Sequence, residues 1–117
     1  MTTMEGNRLI AEFIGYEVYP DGYCDTKSAD ETEPLPMLEY MFNSWNEIMP
    51  VVEKIESIED EHRCAKYNVI IEQSWCEVVD NNNSDTISKG DADAKITAVY
   101  IAVVEFIKWY NENSRDE

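Results

Sequence analysis

Positive charge is scarce in this sequence. Nine Lys and Arg residues stand against 25 Asp and Glu residues, which gives the 117-residue chain a formal net charge of −16. A chain this acidic repels the phosphates of nucleic acids and of anionic lipids, so direct binding to nucleic acid or to a membrane is disfavoured. The basic residues are also isolated, and no Lys- or Arg-rich stretch offers a footprint for a phosphate backbone. The charge favours a basic partner instead.

Metal ligands and paired cysteines are scarce as well. The chain has one histidine, His62, and three cysteines, Cys24, Cys64 and Cys76. A zinc site needs about four ligands with usable spacing, and only His62 and Cys64 are near each other. A catalytic Cys–His pair would also need an orienting partner that the sequence does not offer. We therefore predict no metal, no cofactor and no enzymatic activity, and the odd cysteine count favours reduced thiols over a disulfide framework.

Long apolar segments are missing too. The longest apolar run, residues 98–104, has seven residues, whereas a helix that crosses a bilayer needs about 20. The N-terminal stretch MTTMEGNR contains no apolar region of the kind that a secretory signal requires. These features predict a protein that is neither membrane-bound nor secreted, and a cytoplasmic location.

Enough apolar residues remain to build a core. Hydrophobic residues make up 44% of the chain, more than a disordered acidic tail contains, and the length is typical of one domain over residues 1–117. Apolar spacing and turn residues predict the order helix, strand, long loop, helix, hairpin and helix. The predicted fold is α+β, with a small, mostly antiparallel sheet sandwiched between helices.

Each predicted element has a local signal. The bounds are a helix at 7–14, a strand at 16–19, an acidic excursion at 20–43 with a short edge strand near 35–38, a helix from residue 44, strands at 67–71 and 75–79, a polar loop at 80–94 and a helix at 94–110. Ser44 and Glu47 are spaced as a capping box. Pro50 predicts either a kink or a helix that begins at this residue. Consecutive apolar residues at 69–71 indicate a sheet covered on both faces.

The last predicted helix has a wider apolar arc than one packing surface needs. Ile101, Val104 and Trp109 extend the arc beyond the expected buried face. Two explanations fit this arc. Either the helix is covered on two sides within the chain, or these three residues contact another chain.

The loop after the hairpin has oxygen-bearing side chains at successive positions. Residues 80–86, DNNNSDT, share this feature with calcium-binding loops. An EF-hand loop, however, needs Gly at its sixth position and Glu at its twelfth, where this chain has Asp85 and Asp91. A solvated turn is therefore the prediction.

Three segments resemble the phage ABA sandwich domain family, a group of small phage and prophage proteins. They are NRLIAEFIGY at residues 7–16, SWNEIMPVVEKIE at 44–56 and AVYIAVVEFIKWYN at 98–111. The resemblance implies a sheet between helices and an origin in a phage or another mobile element. It implies no activity and no catalytic residue, because the shared positions are mostly the apolar and capping residues of the fold.

The acidic residues are the remaining signal, and two groups of them are candidates for partner binding. One group, with a tyrosine among its acids, lies in the excursion: Asp21, Tyr23, Asp25, Asp30, Glu31 and Glu33. The other lies on and after the second helix: Glu53, Glu56, Glu59 and Asp60. Carboxylates on a rigid surface can occupy a basic channel that would otherwise hold DNA or RNA, and tyrosines can stack where bases would.

Charge and resemblance together predict a non-enzymatic accessory protein of a phage or mobile element. It would bind and inhibit a host defence protein that handles nucleic acid, as an acidic mimic of the anti-CRISPR or anti-restriction kind, and the partner would carry a basic nucleic-acid-binding surface. The alternative is a homo-oligomeric or virion-associated assembly module of a phage, with Ile101, Val104 and Trp109 as its contacts. The plainest explanation of the charge is a solvated surface that keeps a small protein soluble.

Overall fold

The computed structural model of the chain describes residues 3–25 and 36–114. Within these ranges the elements are α1 (Thr3–Phe13), β1 (Glu17–Val18), β2 (Cys24–Asp25), a 3₁₀ helix (Leu38–Tyr40), α2 (Trp45–Glu56), β3 (Tyr67–Ile71), β4 (Trp75–Asp80), β5 (Thr86–Asp91) and α3 (Lys95–Ser114). β1 and β2 form a two-stranded antiparallel ribbon. The strands β3, β4 and β5 form an antiparallel sheet in that order. The predicted α+β class, with a small antiparallel sheet and helices packed against it, is confirmed.

The strand β5 lies where the sequence predicted a polar loop, and that prediction is wrong. The residues of β5 that face α3 are Ser88 and Gly90, both buried and both small. A Cβ atom on Gly90 would overlap the carbonyl oxygen of Ala98 and would lie 2.7 Å from the nitrogen of Ala102. The hydroxyl of Ser88 donates a hydrogen bond to the carbonyl of Ala102 at 2.8 Å. The strand has small residues there because the backbone of α3 lies directly on it.

The helix α3 is packed on two sides within the chain. Ala98 and Ala102 lie against β5. On another side of the helix, Val104 approaches Gly6 of α1, where an added Cβ would lie 3.3 Å from Cγ2 of Val104. This double packing confirms the first of the two explanations for the wide apolar arc. Although α3 has 20 residues, no helix in the described ranges is long and apolar enough to cross a membrane.

The residues proposed as contacts with another chain are engaged inside the fold. Val104 is fully buried, so it leaves no surface for an oligomer, and this part of the alternative is wrong. The ring of Trp109 packs edge-on against Tyr67 at a centroid distance of 6.1 Å. Cβ of Ile101 would lie 2.9 Å from a Cβ on Gly90. Ile101 and Trp109 are partly exposed, so their role as contacts with another chain stays a prediction.

The helix α2 begins at Trp45, so a start at Pro50 is wrong. Ser44 has an extended backbone, as an N-cap residue does, but its side chain makes no capping bond to the helix backbone. Its hydroxyl instead donates to the carboxylate of Glu47 at 3.1 Å, which differs from the reciprocal backbone bonds of a capping box. Pro50 lies inside the helix on its exposed side. The opposite side of α2 is buried through Ile48, Val51, Val52 and Ile55.

One buried amide joins α1, α3 and the segment around the 3₁₀ helix. Asn7 is fully buried, and its Nδ2 donates to the carbonyls of Leu38 at 2.8 Å and of Met41 at 3.1 Å. Its Oδ1 accepts a hydrogen bond from the hydroxyl of Tyr100 at 2.8 Å. The carbonyls and the amide would be costly to bury without partners, because an unsatisfied polar group costs about 1–3 kcal/mol. We refer to Asn7, Leu38, Met41 and Tyr100 as the Asn7 junction.

The close packing of α3 on β5 predicts that Gly90→Ala destabilises the fold. The added methyl group would force the helix away from the sheet, and overpacking of this kind costs about 1–3 kcal/mol. Urea unfolding followed by circular dichroism measures the change. The control is Asp91→Ala, an exposed neighbour on the same strand, which we expect to alter the free energy by less than about 0.5 kcal/mol. Equal stability of Gly90→Ala and the wild type would contradict the packing.

The Asn7 junction predicts a pH-dependent effect of Tyr100→Phe. Burial raises the pKa of Tyr100 from 10.0 to about 12. Between these values the unfolded state has lost the phenolic proton while the folded state keeps it, so wild-type stability falls as the pH rises through this range. The variant lacks this titration. Loss of the hydrogen bond should cost the variant about 1 kcal/mol at pH 8, and the deficit should shrink by pH 11. Urea unfolding at both pH values tests this, and a constant deficit would refute it.

Candidate functional site

A tight turn presents the ribbon of β1 and β2 at the surface. Gly22 has φ 93, a left-handed conformation that glycine adopts without strain. Its N–H donates to the carbonyl of Tyr19 at 3.0 Å. The carboxylate of Asp21 accepts a hydrogen bond from the N–H of Tyr23 at 3.2 Å, which is typical of a turn that an Asp side chain stabilises. The turn is thus held by backbone and side-chain hydrogen bonds together.

The end of the acidic excursion is held against this ribbon. Met37 lies opposite Tyr23 in a single antiparallel bridge, and the N–H of Leu38 donates to the carbonyl of Gly22 at 2.8 Å. The short edge strand predicted near 35–38 is represented by this one bridge in the described residues. Leu38 instead begins the 3₁₀ helix.

Three carboxylates converge on the ribbon. Glu17 and Asp25 lie opposite each other in the strand register, and Asp21 lies in the turn. The hydroxyl of Tyr19 donates to the carboxylate of Glu17 at 3.4 Å. The pKa of Tyr19 is raised, first by the charge of Glu17, then by burial and by the charges of Asp25 and Asp21. The shift has the sign expected where negative charge is concentrated, because a second anion beside the first is disfavoured.

Large apolar side chains are exposed on the ribbon and on the segment that is bridged to it. Tyr40 is 68% exposed, and Tyr23 and Met37 are each more than one third exposed. Aromatic and methionine side chains are enriched in protein–protein interfaces, and exposed groups of them mark binding surfaces more often than single exposed residues do. The term ribbon surface is used below for these residues and the adjacent acids: Glu17, Asp21, Tyr23, Asp25, Met37 and Tyr40.

The structure separates the predicted partner-binding residues into two places. Asp21, Tyr23 and Asp25 lie on the ribbon, which packs mainly against α1. The second group lies on or just after α2, which packs mainly against β3 and α3. The two groups therefore lie on different elements of the described residues. Three further candidates lie outside the described residues: Asp30, Glu31 and Glu33.

Two acids of the second group have roles in the fold. The carboxylate of Glu56 accepts a hydrogen bond from the N–H of Val69 at 3.2 Å and so satisfies a backbone donor of β3. One oxygen of Asp60 accepts hydrogen bonds from the N–H groups of His62 at 2.8 Å and Cys64 at 3.0 Å. These bonds lower the pKa of Asp60, because they stabilise its charged form. Both acids therefore stabilise backbone groups near them, as Asp21 also does in the ribbon turn.

Glu53 and Glu59 remain as exposed acids of the second group. Glu53 projects from α2, and Glu59 follows it in a single bridge with Ala65. The large apolar side chains that are exposed in the described residues are Met4, Tyr23, Met37, Tyr40 and Trp45, and none of them lies between Glu53 and Glu59 in the sequence. Glu53 and Glu59 are exposed, as expected for acids on a solvated surface.

Sequence reasoning missed three residues of the ribbon surface as site residues: Glu17, Met37 and Tyr40. Tyr40 was visible as a tyrosine at the end of the acidic excursion. Met37 had no such signal, because its place opposite Tyr23 depends on a backbone bridge between two segments. Glu17 lies in a strand of only two residues, which is too short for an alternating pattern to show the side it faces.

Several basic side chains lie over aromatic rings elsewhere on the molecule. The ammonium groups of Lys54, Lys66 and Lys89 lie 5.6–5.8 Å from the ring centroids of their partners. The partner rings are Phe13, Tyr67 and Trp75, respectively. Contacts of this kind stabilise by roughly 0.5–1 kcal/mol at exposed sites. These cations therefore lie against rings that are not part of the ribbon surface.

A cleft opens beside the ribbon surface, between the segment after the 3₁₀ helix and the start of α3. Its volume is about 380 Å³. Phe42, which is almost fully buried, has φ 61, a left-handed conformation that costs a bulky residue of order 1–3 kcal/mol. The cleft is lined by Asn7, Glu39, Met41, Phe42, Asn43, Ile96, Thr97 and Tyr100.

Other chemistries have little support in the geometry. Within residues 3–25 and 36–114, no three His, Cys, Asp or Glu side chains are grouped so as to hold a metal ion. All three cysteines are free, and Cys24 and Cys76 are buried. Burial raises the pKa of Cys76 to about 11, which is opposite to the shift that activates a thiol nucleophile. Both buried thiols thus behave as core side chains.

The oxygen-rich segment between β4 and β5 closes a turn. The carboxylate of Asp80 accepts a hydrogen bond from the N–H of Asn82 at 2.8 Å. The side-chain oxygen of Asn83 accepts one from the N–H of Asp85 at 2.9 Å. These bonds give the side chains a structural role, as predicted for a solvated turn.

The chain was compared with known proteins in three ways. It matches no family model, and no match was found among curated proteins or among solved structures. The resemblance to the phage ABA sandwich domain family therefore stays a prediction.

Proposed function

We propose that this protein is a non-enzymatic binding protein whose ribbon surface docks onto the basic, nucleic-acid-binding surface of another protein and so excludes nucleic acid. The observation that supports this most is the convergence of Glu17, Asp21 and Asp25 on the ribbon that also carries the exposed Tyr23. The exposed Tyr40 follows the Tyr23–Met37 bridge by three residues. Carboxylates and aromatic rings are the two groups that can replace phosphates and bases in a basic groove. The resemblance to a phage family adds the expectation that the partner is a host defence protein.

The surface is held in place before any partner arrives. The Asp21 turn and the Tyr23–Met37 bridge fix the ribbon, and Asn7 fixes the segment that carries Tyr40 through the carbonyls of Leu38 and Met41. Side chains that are ordered in the free protein lose less conformational entropy on binding. A rigid acidic surface is therefore a better competitor for a nucleic-acid groove than a flexible acidic tail of equal charge.

The net charge supports the approach of a basic partner. A charge of −16 on 117 residues attracts a cationic surface over a distance of about one Debye length, roughly 8–10 Å at physiological salt. Steering of this kind raises association rates and falls steeply as salt is added. The exposed rings of Tyr23 and Tyr40 then supply contact area that salt does not screen.

The proposal predicts that changes on the ribbon surface abolish partner capture while an equal charge change elsewhere does not. The test variant is Glu17→Lys with Tyr40→Ala, and the control is Glu72→Lys with Gln73→Ala, in the exposed turn between β3 and β4. Each immobilised protein is exposed to a nuclease-treated bacterial lysate and washed with rising salt. Retained proteins are identified by mass spectrometry. Thermal melts verify that all three proteins are folded.

We expect the wild type and the control to retain a basic nucleic-acid-binding protein at low salt and to release it as salt rises. An added DNA or RNA oligonucleotide should displace it, because both ligands would occupy one surface. The test variant should retain at least tenfold less, since the net charge of the surface changes by two units and an aromatic anchor is removed. Equal retention by the test variant, or no displacement by any oligonucleotide, would refute the proposal.

A further inference from the structure

We infer that the cleft beside the 3₁₀ helix receives an arginine side chain of the basic partner. This inference rests on the proposed function and makes it more specific, because it assigns the cleft to one chemical group of the partner, the guanidinium of an arginine. The cleft adjoins the ribbon surface through the chain itself: Glu39 lines the cleft and Tyr40, the next residue, is the most exposed large apolar side chain of those described. A partner that covers Tyr40 would therefore also reach the mouth of the cleft.

The walls of the cleft match the two parts of an arginine side chain. Met41, Phe42 and Ile96 provide apolar surface for the aliphatic stem, which is buried readily while its charged end stays with polar groups. Glu39 provides a carboxylate, which guanidinium groups bind with two parallel hydrogen bonds when the geometry allows. Asn43 adds a side-chain carbonyl as an acceptor.

The base of the cleft is polar but already satisfied. Both Nδ2 hydrogens of Asn7 are donated to backbone carbonyls, and its Oδ1 accepts a hydrogen bond from the hydroxyl of Tyr100. The ligand must therefore be recognised by the residues nearer the mouth, Glu39, Asn43 and Thr97. The base contributes shape, since its hydrogen bonds hold α1, α3 and the 38–41 segment in fixed positions.

The charge of the cleft favours a cation over an anion. Among the described residues that line it, Glu39 is charged and none is Lys, Arg or His. The start of α3 is near, and the positive end of a helix dipole equals about half an elementary charge. Asp93 and Lys95, on either side of residue 94 at that end, carry opposite charges and offset each other. The net charge of −16 adds to the preference for a cation.

Size and backbone conformation support a defined pocket. A volume of about 380 Å³ is near the lower end of small-ligand sites, which span about 300–1,000 Å³, and it fits a single side chain better than a cofactor. Phe42 keeps its left-handed conformation although this costs free energy. A strained backbone conformation persists only where the surrounding contacts hold it in place. Here the strained residue, Phe42, forms part of one wall of the cleft.

The test is a titration of the ¹⁵N-labelled protein with the peptide acetyl-Gly-Arg-Gly-amide, followed by NMR. The same peptide with Lys or Glu in place of Arg provides the comparison. We expect saturable shifts at residues 39–43 and 96–100 with the Arg peptide, weaker shifts with Lys, and none with Glu. Shifts spread evenly over the acidic surface, or stronger binding of the Glu peptide, would overturn the inference.

Two variants separate charge from shape. Glu39→Gln should weaken binding of the Arg peptide about tenfold, because the variant loses the negative charge that strengthens hydrogen bonds to a guanidinium group. Thr97→Phe leaves the charge unchanged and should block the cleft. Glu72→Gln, which makes the same charge change in a distant turn, should leave binding unaltered. Equal weakening by Glu39→Gln and Glu72→Gln would mean that only the overall charge attracts the peptide, and the inference would fail.

The lysate experiment distinguishes failure of this inference from failure of the proposed function. If Thr97→Phe captures the basic protein as well as the wild type while the ribbon variant does not, the cleft inference is wrong and the proposed function stands. If Thr97→Phe weakens capture at least tenfold with an unchanged thermal melt, the cleft is part of the interface.

Discussion

The hydrogen bonds of Asn7 are the constraint on which the arrangement of the described chain depends. This one side chain joins α1 to the 3₁₀ segment and, through the hydroxyl of Tyr100, to α3. The joined segments are far apart in sequence, with Asn7 and Tyr100 separated by 93 residues. Apolar packing alone would allow the segment around Leu38 to slide, since the hydrophobic effect is not directional. The amide selects one position because two carbonyls and one hydroxyl must be satisfied together.

The general fold could be predicted because its largest elements have regular apolar patterns, as the buried side of α2 shows with Ile48, Val52 and Ile55. The strand β5 could not be predicted, because its inward residues, Ser88 and Gly90, are small and not strongly hydrophobic. A period-two apolar pattern is the main signal of a half-buried strand. Where a helix backbone lies directly on a strand, that signal disappears even though the strand is well packed.

The site was predictable in composition but not in position. Asp21, Tyr23 and Asp25 were identified from the sequence and lie together on the ribbon. Glu56 and Asp60 carried the same sequence signal, yet each accepts hydrogen bonds from backbone N–H groups of its own neighbourhood. Asp21 accepts a bond of the same kind from the N–H of Tyr23, so a role in the fold does not by itself separate the two groups. The ribbon acids differ in their surroundings, because the exposed Tyr23 lies on the same ribbon and is bridged to the exposed Met37, and that bridge exists only in the folded chain.

Salt should act in opposite directions on the fold and on the proposed complex. Self-repulsion among 25 acids opposes the compact state, so screening should raise the thermal midpoint of the free protein. Attraction between the ribbon surface and a basic partner weakens under the same screening. A loss of binding between 50 and 300 mM salt, together with a rise in the thermal midpoint, therefore cannot result from unfolding. A parallel fall of both quantities would instead mean that the acids stabilise the fold, and the surface charge would lose its proposed meaning.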